Sequence, residues 1–222
     1  MHKKREALKA AFPVTIPVMT GYIFLGMGYG ILMSSIGYGL VWTLLMSLLI
    51  FAGSIQYVAI ALLTSAFNPF YTLLLTLMVN ARHLFYGISM LERFKGTGRL
   101  KPYLVFGLTD ETFSLLSAVE PPEGVERKWF QFFITLLDHI YWVTGSALGS
   151  IAGMVISFNT QGLDFVLTAL FTVIFIDQWK GTKNHIPALI GLGGALLCLL
   201  VFGKDNFMIP AMILILLLLT IF

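Results

Sequence analysis

Long apolar runs, interrupted at charged or turn-rich points, set the pattern of this chain. Eight can be marked out, at roughly 11–34, 40–64, 69–91, 103–118, 129–158, 163–176, 186–203 and 207–222. A helix rises about 1.5 Å per residue, so a hydrocarbon core of about 30 Å takes about 20 residues. The fourth, sixth and eighth runs are short by that measure. The pattern predicts an all-α fold, a polytopic membrane helical bundle of seven or eight membrane elements in a single domain over 1–222. Two terminal helices would occupy 186–222, and residues 1–10 would form a basic N-terminus.

Polar residues inside the apolar runs are the second pattern. The stretch Leu75 to Leu91 is apolar at both ends, yet carries Asn80, Arg82, His83 and Tyr86. An arginine near the centre of a membrane helix costs roughly 2.5–3.5 kcal/mol on insertion scales. At about 100° per residue, Arg82, His83 and Tyr86 share one broad face, with Asn80 at its margin. That face is expected to turn away from lipid, toward a cavity or another helix.

Composition agrees with a membrane protein. The chain is 58% hydrophobic and 11% charged, against about 25% charged in soluble domains. Its mean hydropathy is +0.88. The net charge of +3 sits mainly in short loops and at the N-terminus. That suits anionic lipid headgroups rather than nucleic acid. A single cysteine, Cys198, excludes an intrachain disulfide and a cysteine-based metal cluster. The start resembles a signal peptide n-region, but Pro13, Pro17 and the long apolar run after it read as a retained first span.

Charge placement poses a problem of orientation. Lys3, Lys4, Arg5 and Lys9 put the N-terminus in the cytoplasm. Arg93, Lys95, Arg99 and Lys101 make the loop after the third run equally basic. Three full crossings would place that loop outside. Either the third element breaks at Asn80–His83 and re-enters, or the positive-inside tendency is weak here. The same difficulty recurs after the sixth run, at Lys180, Lys183 and His185.

Small residues suggest where helices approach closely or break. Gly26 and Gly30, and Gly145, Gly149 and Gly153, recur at four-residue spacing and predict tight packing. With its glycines and two prolines, the first run is a poor candidate for a straight helix. A weak repeat relates two halves, about 11–91 and 103–179. Each passes through a small-residue helix (Ala52–Ser54, Gly145–Ala147) to an apolar helix ending in polar groups (Asn80–Arg82, Asp177-Gln178).

Four places could carry chemistry. Gly53, Ser54 and Gln56 lie in mid-run, where unwinding would free backbone groups for a zwitterion; packing is the equal alternative. Asp110 and Glu111 sit near the middle of the fourth run. Two ionised, unpaired carboxylates at that depth would cost about 5 kcal/mol or more. Arg82 should therefore pair with one of them, or one should be protonated, as proton coupling requires. Asp138 shares a face with Trp142 and Gly145 and is a candidate second proton site or a simple helix contact. Asp177 and Gln178 read as interfacial, because Trp179 and Lys180 follow at once.

The pieces AGSIQYV (Ala52 to Val58), NARHLFYG (Asn80 to Gly87) and GLTDETF (Gly107 to Phe113) resemble, in order and spacing, the AzlC-type branched-chain amino acid permeases. YWVTGSALGS and GLDFVLTALF are similar to that family's later helices. The likeness covers nearly the whole chain. It implies the large subunit of an exporter of valine, leucine, isoleucine and often methionine, with a small AzlD-type membrane subunit as partner. It makes Gly53, Ser54, Gln56, Arg82, His83, Tyr86, Asp110 and Glu111 the motif residues. Asp138 lies outside that pattern. The chain has no GxxxxGK[ST] phosphate loop, so proton motive force is the simpler driver. No cofactor or metal is expected, and the protein is expected not to be an enzyme. Two other classes compete. One is a membrane scaffold whose buried polar groups only fix helix contacts. The other is an intramembrane metal-dependent enzyme using His83, His139, Asp110 and Glu111, although no paired-histidine motif is present.

Overall fold

A computed structural model describes residues 2–66, 68–155, 172, 175–176, 179–180 and 182–221. Every regular element among the described residues is helical. Two compact units divide the chain, 1–160 and 161–222.

The first unit holds α1 (His2–Ser35), α2 (Leu40–Leu49), α3 (Gly53–Thr64), α4 (Pro69–Ser89), α5 (Lys101–Phe106), α6 (Asp110–Ala118) and α7 (Arg127–Val155). A 3₁₀ turn, Gly98–Leu100, leads into α5. The eight apolar runs do not become eight helices of equal standing. Judged on length and apolarity alone, α1 is a span, while α2 and α3 are apolar but too short.

α1 is one continuous helix of 34 residues through both Pro13 and Pro17. Proline is tolerated where neighbouring helices and hydroxyls re-satisfy nearby backbone. Two threonine hydroxyls bond backbone beside them, Thr15 Oγ1 to Phe12 O at 3.0 Å and Thr20 Oγ1 to Ile16 O at 3.2 Å, although the carbonyls the prolines free are Lys9 O and Pro13 O. The basic first residues belong to this helix, and Lys4 Nζ lies 4.0 Å from the centre of the Trp129 ring.

α1 and α7 run parallel in close contact. Lys4 meets Trp129, Thr15 Oγ1 lies 3.1 Å from Tyr141 OH, and Ser34 Oγ donates to Ser150 O at 2.9 Å. Glycine makes this approach possible. A Cβ on Gly30 would fall 2.1 Å from Ser146 O, and one on Gly149 would fall 2.0 Å from Met27 O. Gly26, Gly145 and Gly153 line the same seam. The four-residue glycine spacing in both runs thus describes one helix–helix contact.

α2 and α3 form a hairpin that enters the bundle at the α1 C-terminal end and turns back half way. Descending α2, Thr43 meets Ser150, Met46 meets Tyr29, and Ser47 meets His139. Returning on α3, Gln56 meets Trp142 and Tyr57 reaches Leu25. Gln56 Nε2 also donates to Ser47 Oγ at 3.3 Å, tying the two arms together. At about 1.5 Å per residue the arms are roughly 15 and 18 Å long, about half a hydrocarbon core each.

α4 then crosses the whole bundle. Its first turn is capped by Asn68, whose side chain accepts from Tyr71 N at 3.1 Å. Its end delivers Met90 and Phe94 to a core with Ala11, Leu104, Leu108, Leu116, Phe130 and Ile134. α5 and α6 make the second hairpin, entering from this opposite end. Tyr103 and Phe106 rise to His139, Thr109 meets Tyr22, and α6 leads back to Glu120 beside Arg93 and Arg127.

Of the two readings left open for the third run, the break at Asn80–His83 is not found, because α4 is continuous through it. Polar side chains from other elements meet that face, so the backbone need not unwind. It also eases the difficulty at the loop after the third run, though not the one after the sixth. With the second and fourth runs turning back, the basic loop 90–101 lies at the same end of the unit as Lys4. In the first unit α1 and then α4 are each followed by a hairpin, the two sets running in opposite senses.

The second unit holds α8 (Ile186–Asn206), kinked at Gly203 (φ 71°), and α9 (Met208–Ile221). Residues 186–203 are apolar and long enough to span a membrane. The helices pack closely, since a Cβ on Gly194 would fall 2.8 Å from Ile215 Cγ1. His185 stacks on Trp179 with ring centres 4.2 Å apart. Most of the sixth run, with Asp177 and Gln178, lies outside the described residues.

Candidate functional site

The two hairpin tips meet at mid-height, and the candidate site forms around them. At the first tip the chain passes from α2 through Ile50, Phe51 (φ 38°) and Ala52 (φ −143°, ψ 91°) into α3. Positive φ on a bulky residue is strained, by on the order of 1–3 kcal/mol, and persists only where the surroundings enforce it. The enforcement is visible. Phe51 is buried, stacks on His139 at 4.2 Å, and has Tyr22 and Phe106 each at 6.3 Å.

His139 serves both tips. A helix end leaves carbonyls without partners inside the helix. Ser47 O, near the end of α2, lies 3.2 Å from His139 Nε2. His139 Nδ1 lies 3.1 Å from Tyr103 OH on α5. A neutral imidazole satisfies both, with Nε2–H donating to the carbonyl and Nδ1 accepting the phenol proton. Gln56 is fully buried; its Oε1 accepts from Trp142 Nε1 at 2.8 Å. Gly53 opens α3 with its Cα against Trp142, where a Cβ would meet Cη2 at 3.0 Å.

At the second tip, Gly107 stops α5, and Thr109 caps α6 by accepting from Thr112 N at 3.3 Å. A Cβ on Gly107 would fall 2.2 Å from Thr135 Cγ2, so only glycine fits against α7 there. Asp110 and Glu111 occupy the first turn of α6, where negative charge suits the helix dipole.

Arg82 on α4 bridges the tips. Its Nη1 lies 2.8 Å from Asp110 Oδ2, and its Nη2 donates to Ser54 Oγ at 2.6 Å, in the first turn of α3. Tyr86 OH donates to Asp110 Oδ1 at 2.6 Å, and the Tyr86 ring stacks on Phe113 at 4.3 Å. The arginine and aspartate side chains are 26% and 31% exposed, so the pair is open to a solute. Arg82 Nε and Asn80 Oδ1 are buried with no partner among the described residues. His83 stays local, with Nδ1 3.3 Å from Asn80 O. α3 has no side-chain cap, because Ala52 precedes it, so its first N–H groups also point into this region.

A second polar group lies deeper. Asp138 on α7 is fully buried, and its Oδ2 accepts from Thr112 Oγ1 at 2.8 Å. Thr109 Oγ1 donates to Thr112 Oγ1 at 3.0 Å and lies 2.5 Å from Tyr22 OH. Tyr22 OH lies 2.7 Å from Glu111 Oε2.

Of the residues singled out in the sequence, Ser54, Arg82, Tyr86 and Asp110 form one cluster. Glu111 and Asp138 end a second; Gly53, Asn80 and His83 are chain neighbours of the first, and Gln56 bonds Trp142 and Ser47 instead. Tyr22, Thr109 and Thr112 were given no role in the sequence reading, although both threonines lie in the GLTDETF piece. Thr109 had a signal, since threonine followed by two acids after a glycine is a helix stop and a new N-cap. Tyr22 had none, being one aromatic in an apolar run. Among the described residues no group of three or more His, Cys, Asp and Glu is arranged to hold a metal ion.

Apolar helices around two opposed half-helix hairpins, with ionisable groups at their tips, suit an integral membrane protein with a polar centre. The AzlC protein family matches residues 17–156, and the chain belongs to that family. Over all of its length it is 54% identical to 88% of a Bacillus subtilis protein named branched-chain amino acid transport protein AzlC. A Haemophilus influenzae membrane protein is 46% identical over 97% of this chain and 88% of its own. The Escherichia coli inner membrane protein YgaZ is 27% identical over 90% of this chain and 82% of its own. No solved structure matches the chain significantly.

Proposed function

We propose that this protein is a secondary-type transporter that exports branched-chain amino acids (valine, leucine, isoleucine, and methionine with them), driven by protons. In this reading it is the large subunit beside a small AzlD-type membrane protein, in a bacterial plasma membrane, with its N-terminus in the cytoplasm. The observation that carries the reading is the open Arg82–Asp110 pair between two half-helix N-termini. Such termini suit the carboxylate of an amino acid, and Arg82 offers a cation for it. Asp110 offers a carboxylate for the ammonium group. The stacked rings of Tyr86 and Phe113 beside it suit a branched apolar side chain. Membership of the family, and the name of the Bacillus subtilis relative, support the substrate class.

Export is tested in cells lacking endogenous branched-chain exporters, co-expressing the chain with its small partner and loaded with a valine-containing dipeptide. Valine efflux above that of empty cells, slowed when an uncoupler collapses the proton gradient, is the expected result. Efflux no faster than in empty cells would remove the proposal.

A further inference from the structure

The buried chain from Glu111 to Asp138 can be counted in protons. It has four links: Glu111 to Tyr22 at 2.7 Å, Tyr22 to Thr109 at 2.5 Å, Thr109 to Thr112 at 3.0 Å, and Thr112 to Asp138 at 2.8 Å. Each link needs one hydrogen between its two oxygens. The three hydroxyls supply three. With both acids ionised, Tyr22 donates to Glu111, Thr109 to Thr112 and Thr112 to Asp138. The Tyr22–Thr109 contact then sets two lone pairs 2.5 Å apart in a dry site. Buried polar atoms are rarely left that way, because the missing water is not replaced.

One added proton fills every link with none to spare. It can sit on either acid. On Glu111, the hydroxyls all point toward Asp138; on Asp138, they all point toward Glu111. We propose that Glu111 and Asp138 hold a single proton between them and pass it along Tyr22, Thr109 and Thr112. In the passage Glu111 gives its proton to Tyr22 O. The Tyr22 proton goes to Thr109, the Thr109 proton to Thr112, and the Thr112 proton to Asp138. Three hydroxyls turn over, one carboxylate becomes acid, the other becomes carboxylate, and no atom is lost.

The surroundings fit one negative charge rather than two. The nearby cation, Arg82, is engaged by Asp110, the neighbour of Glu111. His139 next to Asp138 is occupied by Ser47 O and Tyr103. Tyr86 is bound to Asp110. Asp138 Oδ1 has no partner among the described residues. This deepens the proton-coupled reading above and rests on it for its use. A substrate carboxylate that drew Arg82 from Asp110 would leave that charge beside Glu111 and pull the shared proton to Glu111.

Infrared difference spectroscopy of the purified protein at neutral pH reads the proton directly, whether or not the chain transports. The shared proton predicts one protonated-carboxyl band in the wild type that is lost in Glu111→Gln and equally in Asp138→Asn. In each case the new amide supplies the fourth hydrogen and the remaining acid ionises. Thr112→Val cuts the chain and keeps both acids. It predicts a band displaced from the wild-type position that Glu111→Gln no longer removes in the double variant. The band vanishing in one single variant and persisting in the other would mean an independently protonated acid, and would overturn the proposal. So would a wild type with no such band. Should one amide variant not reach the membrane, the Thr112→Val displacement decides alone, and an undisplaced band overturns the proposal. Absence of valine efflux with the infrared pattern intact would sink the transport reading and leave the shared proton standing.

Discussion

His139 Nε2 lies 3.2 Å from the carbonyl oxygen of Ser47, 92 residues earlier in the chain, where the descending arm of the first hairpin stops. Its other nitrogen meets Tyr103 on the second hairpin. One imidazole therefore closes the open end of α2 and anchors α5. Removing it leaves a buried carbonyl without a partner, which costs about 1–3 kcal/mol. His139→Leu should lower the unfolding midpoint of the detergent-solubilised protein. His139→Asn, which keeps a donor and an acceptor, should lower it less. Equal midpoints for wild type and the leucine variant in thermal unfolding would show that Ser47 O finds another partner.

The glycine seam between α1 and α7 allows a graded test. Gly149→Ala and Gly30→Ala put a methyl group 2.0 and 2.1 Å from backbone oxygens, so the helices must separate. Gly21, exposed on the same α1, has nothing within 4 Å of an added Cβ. Gly21→Ala should be neutral or stabilising by about 0.5–1 kcal/mol, through helix propensity alone. Membrane abundance measured by fluorescence size-exclusion should rank Gly21→Ala with wild type and the other two far below it.

Arg82 and Asp110 should be coupled in stability. Removing one partner of a low-dielectric pair leaves a charge uncompensated, whereas removing both leaves two neutral groups. The double variant Arg82→Gln/Asp110→Asn should therefore be more stable than the sum of the single losses, by about 0.5–3 kcal/mol. The pair is about a quarter to a third exposed, which places the expectation toward the low end. Additive losses in a double-mutant cycle of thermal unfolding would show that the two side chains do not depend on each other.

Much of the centre was legible because its cost was legible. An arginine in mid-run and two adjacent acids in another cannot both face lipid, and the structure sets Arg82 against Asp110 rather than Glu111. The four-residue glycine spacing of two distant runs was read as tight packing, and it is the α1–α7 contact. The first hairpin tip was half legible. Gly53 and Ser54 marked the neighbourhood, but the left-handed residue is Phe51, held by rings from three other elements that no local rule reveals. The break at Asn80–His83, one of the two readings open for the third run, is absent for a related reason. A polar face can be satisfied by side chains of other helices, so polarity alone does not say which helix unwinds. The links through Tyr22 were invisible because they join residues 87 and 89 apart in sequence.

The central claim is that the polar groups at the hairpin tips form the path of the substrate. It is tested most directly by valine efflux from dipeptide-loaded cells co-expressing the small partner, comparing wild type, Arg82→Ala and Asp110→Asn at matched membrane abundance. Both variants should lose efflux by at least tenfold, which corresponds to about 1.4 kcal/mol at the site. Undiminished efflux in both, with both present in the membrane, would contradict the account and assign these side chains to holding the helices together.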